Sequence, residues 1–195
     1  MHLVKFWRES FVNFQGIPGL NFLLPMALAV LSLLGLWQDV QQKFFYPMKY
    51  ASYVEDYANV YDLDPLLLYA VIYTESGFQP DAVSDAGALG LTQITPETFQ
   101  WLQTKTRETL PERQLHEPET SIRYGALFLH MLEKEFGETE TALAAYHAGR
   151  GRVGGWLLDK SCSADGKTLR RIPSSKTAHY VRKVMRTYDK YQNLY

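Results

Sequence analysis

Cysteine is almost missing from this 195-residue chain, Cys162 being the single one. One thiol excludes an internal disulfide and any zinc site built from cysteines. Glycine and proline, at 13 and 9 residues, stay near ordinary usage, so collagen-like and low-complexity classes are out. No block of five or more like charges occurs, and the net charge of −1 argues against bulk nucleic-acid binding. Strand-like alternation is scarce and no internal repeat is visible. What is present is 46% hydrophobic and 21% charged residues, a balance that excludes disorder for most of the chain. The length suits one globular domain with an appendage.

Charge is also missing locally. No charged residue lies between Ser10 and Gln38, and Phe22 to Trp37 is almost purely apolar. Counted from Ile17, the run is long enough, at 1.5 Å per residue, to match a hydrocarbon core of roughly 30 Å. Lys5 and Arg8 precede it. Phe6 and Trp7 flank it on one side, and Trp37, Phe44, Phe45 and Tyr46 on the other. The expectation is a single-pass signal anchor, with a short cytoplasmic stub and everything after about Tyr46 outside the cytoplasm. Residues 1–46 thus form stub, transmembrane helix and linker, and 47–195 the folded domain. A cleaved signal peptide is the rival reading, but Gly35-Leu36-Trp37-Gln38-Asp39 makes a poor cleavage site. Pro25 and Asn21 weaken the span.

Residues 47–195 read as a mainly α domain. Met48–Tyr61 carries apolar residues at helical spacing, with Tyr50, Tyr53, Val54, Tyr57 and Ala58 on one stripe. Asp64-Pro65 opens a helix through Thr74 or Glu75 that Gly77 stops. Thr95-Pro96 opens another through about Lys105, and Pro118–Phe136 is a long amphipathic helix ended by Gly137. Thr139 caps a short one through Ala148. Ser174–Gln192 is the last, with Tyr180, Val181, Val184, Met185 and Tyr188 on its buried stripe. Leu110–Glu117 and Ser161–Pro173 read as loops. Charge is uneven along the chain: residues 39–147 hold 7 Lys/Arg against 17 Asp/Glu, and 148–195 hold 11 against 3. A solvated basic face explains that, and so does an anionic-ligand site.

The informative segment runs from Tyr73 to Gln93. Glu75 ends a strongly apolar helix, where apolar surroundings and the negative end of the helix dipole both oppose ionisation. Both raise its pKa, as a general acid requires. The small residues Ala86-Gly87-Ala88-Leu89-Gly90 let the following backbone approach a ligand, and Gln93 offers an amide. A capped helix carrying an ordinary solvated Glu is the alternative on spacing alone.

Four motifs now fall in order: Glu75-Ser76; Gly90-Leu91-Thr92-Gln93, continuing through Ile94-Thr95-Pro96-Glu97-Thr98; Ala145-Tyr146-His147-Ala148-Gly149; and Ile172-Pro173 with Thr177 and Tyr180-Val181. Together they resemble the catalytic domain of lytic murein transglycosylases of the soluble-transglycosylase (SLT) type, related in fold to goose-type lysozyme, over roughly residues 50–190. Thr92 stands where the family usually has Met, His147 where it has Asn, and Lys176 where Glu is common. Thr92 is expected to remove an apolar contact to the sugar, and His147 to put a titratable ring in place of an amide.

The resemblance implies a lysozyme-like helical fold and a peptidoglycan lytic transglycosylase. Glu75 would be the lone catalytic acid and base. Ser76 and Tyr180 would position it by hydrogen bonding. Gln93, Tyr146, His147, Thr92 and the Gly90-Leu91 backbone would hold the sugars. The products would be 1,6-anhydro-muramic ends, with no cofactor and no metal. Of the five histidines only His130 pairs at helical spacing with an acid, Glu133, which reads as a surface contact. Expected partners are the glycan strands, and the membrane through the N-terminal helix. Two alternatives stay open: a lysozyme-like hydrolase, if Asp81 or Asp85 held a water opposite Glu75, and a non-catalytic peptidoglycan-binding module.

Overall fold

The computed structural model describes residues 20–195, with side chains from Met26 onward. Two compact units meet between Pro47 and Met48. In the first, α1 (Leu20–Val40) is followed by a π-helical turn, Gln41–Phe45. Its described side chains are exposed, Met26 by 61% and Leu33 by 66%. Among the described residues no helix is long and apolar enough to cross a membrane. The expected span from Ile17 to Trp37, with Lys5, Phe6, Trp7 and Arg8 before it, begins outside the described residues.

The second unit contains α2 (Ala51–Val60), α3 (Pro65–Ser76), α4 (Pro96–Thr106), a 3-10 turn (Glu112–His116), α5 (Pro118–Phe136), α6 (Thr139–Ala148), α7 (Arg150–Leu158) and α8 (Ser175–Leu194). Proline opens α3, α4 and α5, its missing N–H falling where a helix needs none. Side-chain oxygens of Asp64, Thr95 and Ser174 accept the free first-turn amides of α3, α4 and α8 at 2.8, 3.2 and 3.2 Å, each such cap worth about 1 kcal/mol. In α6 the cap is Glu138, which accepts from Thr141 N at 2.8 Å, and Thr139 is the first helical residue. α2 starts three residues later than its stripe suggests, because Tyr50 takes a left-handed φ of 59°.

The centre of the domain is α3. Leu67, Leu68, Tyr69, Ala70, Val71 and Ile72 are all buried, so the helix is apolar around its circumference and must be enclosed. Its most extensive neighbour is α8, and α2 packs on it as well. α8 gives Tyr180, Val181, Val184, Thr187 and Tyr191 to the core, while Met185 and Tyr188 are only half-buried. Tyr69 stacks on Tyr191 with ring centroids 5.6 Å apart, and Phe99 meets Tyr124 edge-on at 4.6 Å.

Two elements depart from the sequence reading. Residues 150–158 form α7 despite Gly151, Gly154 and Gly155, because Val153 and Leu157, one turn apart, bury one face. The expected loop 110–117 contains a 3-10 turn whose Leu115 is fully buried. Tertiary packing overrides weak local preference in both. The 161–173 segment does lack regular structure, but its Cys162 is a free and buried thiol.

Candidate active site

Glu75 occupies the last turn of α3, and Gly77 closes that helix with a φ of 60°. Phe78 continues the turn at φ 66°, a left-handed conformation held by burial of its ring against Tyr69 and Tyr73. Chain direction therefore changes just after the carboxyl, which stays half-buried. Tyr180 Oη, from α8, donates to Glu75 Oε1 at 2.7 Å. Lys183, one turn further along α8, donates from Nζ to the Thr74 carbonyl at 3.3 Å, where the negative end of the α3 dipole lies.

These neighbours set the carboxyl's proton affinity. Burial raises the Glu75 pKa from 4.5, and the Tyr180 hydrogen bond and the Lys183 charge oppose that rise. Burial dominates, and the result is about 7. Around neutrality both its protonated and its ionised forms are therefore populated.

Tyr146 and Tyr180 are 9% and 7% exposed, and burial pushes both phenols well above their ordinary pKa, keeping them neutral donors. Tyr146 Oη donates to the Thr92 carbonyl at 2.8 Å. Its ring lies 5.0 Å from Phe128, and Phe128 leads to Trp101 at 6.3 Å. A cavity of about 330 Å³ there is lined by Glu97, Thr98, Trp101, Phe128, Gly149 and Arg150. The exposed His147 ring lies over Tyr180, with centroids 4.6 Å apart, and its Nδ1 is 3.2 Å from Thr177 Oγ1. Partial burial and the Lys176 charge lower the His147 pKa, so its neutral form is favoured.

Several expected roles change. Ser76 Oγ donates to the Leu91 carbonyl at 2.8 Å and the Ile72 carbonyl at 3.2 Å, so it ties the 90s loop to α3 rather than holding the Glu75 carboxyl. Thr92 is fully buried and does not face a sugar. Its Oγ1 donates to the Ser121 carbonyl at 2.8 Å, and its methyl sits where any Cβ on Gly125 would be, 2.4 Å away. Gly90 is needed for protein packing, since a Cβ there would meet the Leu115 carbonyl oxygen at 1.8 Å. The amide of Gln93, itself at φ 50°, donates to the carbonyls of Ala82 and Gly90 at 3.1 and 2.9 Å. Gly90 N also donates to Ala82 O at 2.9 Å, so the Gly90-Leu91 backbone is largely engaged in folding its own loop. Bridges Val83–Leu89 and Leu89–Ile94 complete that loop.

Asp81 and Asp85 are exposed and form no side-chain hydrogen bond or ion pair among the described residues, and Ser84 Oγ caps their loop by accepting from Ala88 N at 3.0 Å. No group of three metal-ligating side chains occurs among the described residues. The Phe128–Trp101 extension and Lys183 escaped sequence reasoning, because only the packing of α4, α5 and α8 brings them near one another and the motifs.

A half-buried carboxyl with a neutral pKa, gripped by a phenol inside a helical shell, belongs to a mainly helical, lysozyme-like fold. The chain is a member of the family described as Transglycosylase SLT domain, which matches residues 52–168. The soluble lytic murein transglycosylase of Salmonella typhimurium is 34% identical over 162 residues, covering 80% of this chain and 24% of that protein. The membrane-bound lytic murein transglycosylase C of Haemophilus ducreyi is 29% identical over 169 residues, covering 75% of this chain and 46% of that one. An inactive glutamate-to-glutamine variant of the lytic transglycosylase Slt from Pseudomonas aeruginosa has a similar structure. Its TM-score is 0.66 at 30% identity, over 76% of this chain and 24% of that one. The chain thus spans about a quarter of the length of its soluble relatives.

Proposed function

We propose that this domain is a peptidoglycan lytic transglycosylase with Glu75 as its sole acid and base. The carrying observation is the Glu75 carboxyl, half-buried, raised to about 7 and held 2.7 Å from the Tyr180 phenol. Protonated Glu75 gives its proton to the oxygen joining N-acetylmuramic acid to N-acetylglucosamine, and the bond from that oxygen to the muramic C1 breaks. The sugar's own acetamido oxygen stabilises the cationic C1. Glu75, now a carboxylate, takes the C6 hydroxyl proton as O6 bonds to C1, closing a 1,6-anhydro ring. Water is not consumed, and no second carboxylate is required, unlike ordinary glycosidases. Among the described residues no hydrogen bond or ion pair fixes the exposed Asp81 or Asp85 side chain opposite Glu75, which supports this over hydrolysis. In the similar Slt of Pseudomonas aeruginosa a glutamate-to-glutamine variant is inactive, which supports an essential glutamate here.

Tyr180 positions the carboxyl and favours its anion at the second step. Tyr146, held through the Thr92 carbonyl, and His147, lying over Tyr180, form the wall available to a glycan, and Gln93 and Ser76 hold the loop that backs it. A peptidoglycan substrate implies a domain outside the cytoplasm. The charge-free run to Gln38 and the exposed apolar face of α1 support a membrane anchor, as does the similarity to a membrane-bound relative.

Mass spectrometry of digested sacculi tests this. The account expects anhydro-muramic ends from the wild type and at least about 10³-fold less release from Glu75→Gln, since losing the acid and base removes most of the catalysis. Reducing ends, or release unchanged in Glu75→Gln, would refute it.

A further inference from the structure

The exposed face of α8 carries Lys176, His179, Lys183, Arg186 and Lys190. Their spacings of three, four, three and four residues put them on one stripe of the helix. The stripe extends for roughly 21 Å at 1.5 Å per residue. Arg182 flanks it, and its backbone carbonyl accepts from Arg186 Nε at 3.1 Å. Among the described residues neither Arg182 nor the Lys and Arg side chains of the stripe form an ion pair, whereas three other basic residues of the domain do. The acidic groups near it include Glu75, on which the Lys183 charge acts, and Asp189 and Glu140, which line a depression of about 200 Å³ with Arg182 and Arg186. The stripe also passes the site: Lys183 donates to the carbonyl of Thr74, the residue before Glu75, and its charge bears on Glu75, while the charge of Lys176 bears on His147.

A row of unpaired like charges repels itself and gains from an anionic partner laid along it. We infer that the α8 stripe is a binding surface for the carboxylates of the peptide stems on the glycan strand, holding the polymer in line with Glu75. This rests on the proposed function, because it takes the strand cut at Glu75 as the polyanion that must lie beside the stripe. An anionic membrane surface is the competing partner. Lying against the edge of the site, the stripe favours the substrate instead.

Co-sedimentation of the full chain in neutral detergent decides this. The probes are purified sacculi, sacculi whose carboxylates have been amidated, and anionic phospholipid vesicles. Arg186→Glu with Lys190→Glu is expected to weaken binding to untreated sacculi about tenfold at about 0.05 M salt. The difference should vanish near 1 M, where screening shortens the Debye length to about 3 Å. Arg186→Gln with Lys190→Gln should give an intermediate loss, which guards against misfolding of the charge-reversed form. Amidated sacculi should bind the wild type as weakly as untreated sacculi bind the charge-reversed form. Equal binding by both forms, indifference to amidation, or a stripe-dependent preference for vesicles would each overturn the inference. Anhydro products from the wild type would stand in any of those cases, so a failure here is separable from a failure of the proposed reaction.

Discussion

Proton affinity at Glu75 arises from opposed influences that can be altered singly. Removing the Tyr180 hydroxyl in Tyr180→Phe takes away a bond that stabilises the anion, so the Glu75 pKa rises above 7. Activity falls because the carboxyl is no longer positioned, while the loss of activity on raising pH moves to higher pH. A pH profile of muropeptide release checks both effects. The raised pKa also has a sign in stability. The folded chain binds this proton more tightly than the unfolded one, so the stabilisation is complete below 4.5 and is lost as pH rises to about 7. Against Glu75→Gln, the melting temperature of the wild type should therefore fall steadily across that window. Parallel melting curves would contradict the assignment. In the sequence Glu75 stands out because it ends an apolar helix, whereas Tyr180 is pointed to by the family resemblance and not by its place on an amphipathic stripe. The resemblance misdirects Ser76 and Thr92, because motif order does not say which way a side chain faces. Only burial and the Ser121 partner place Thr92 inside.

At the scale of elements, the loop from Ala82 to Ile94 is held by contacts that tolerate little change. Gly90→Ala brings a methyl onto the Leu115 carbonyl at φ 74°, so unfolding free energy should drop by roughly 2–4 kcal/mol. Gly87→Ala, at φ 75° with open space around it, should cost only about 1 kcal/mol. Urea titrations compare the two, and equal losses would show that the close approach at Gly90 is unimportant. Helix starts were legible because capping chemistry is local: Asp64-Pro65, Thr95-Pro96 and Ser174 all act within one turn. α7 was hidden by its three glycines, which carry no helical signal, and only burial of Val153 and Leu157 selects it. The 3-10 turn around Leu115 was hidden for a related reason, since only the burial of Leu115 in the folded domain selects it.

Across the whole molecule, charge is partitioned as the sequence indicates, and the fold collects part of the basic excess on α8. The aromatic row from Tyr146 through Phe128 to Trp101 could not be read in advance, since it joins residues from α4, α5 and α6. The apolar N-terminal run has a consequence independent of the chemistry. The full chain is expected to partition into membranes and to be released by detergent but not by about 1 M salt. A chain beginning at Met48 should remain in the aqueous fraction. Release of the full chain by salt alone would contradict anchoring by that segment.

The central claim is that one carboxyl stays half-protonated near neutrality, and titration of carbon-13-labelled glutamate side chains by NMR measures it directly. A single resonance absent from Glu75→Gln should titrate at about 7 and move upward in Tyr180→Phe. A Glu75 resonance titrating near 4.5 would contradict the account.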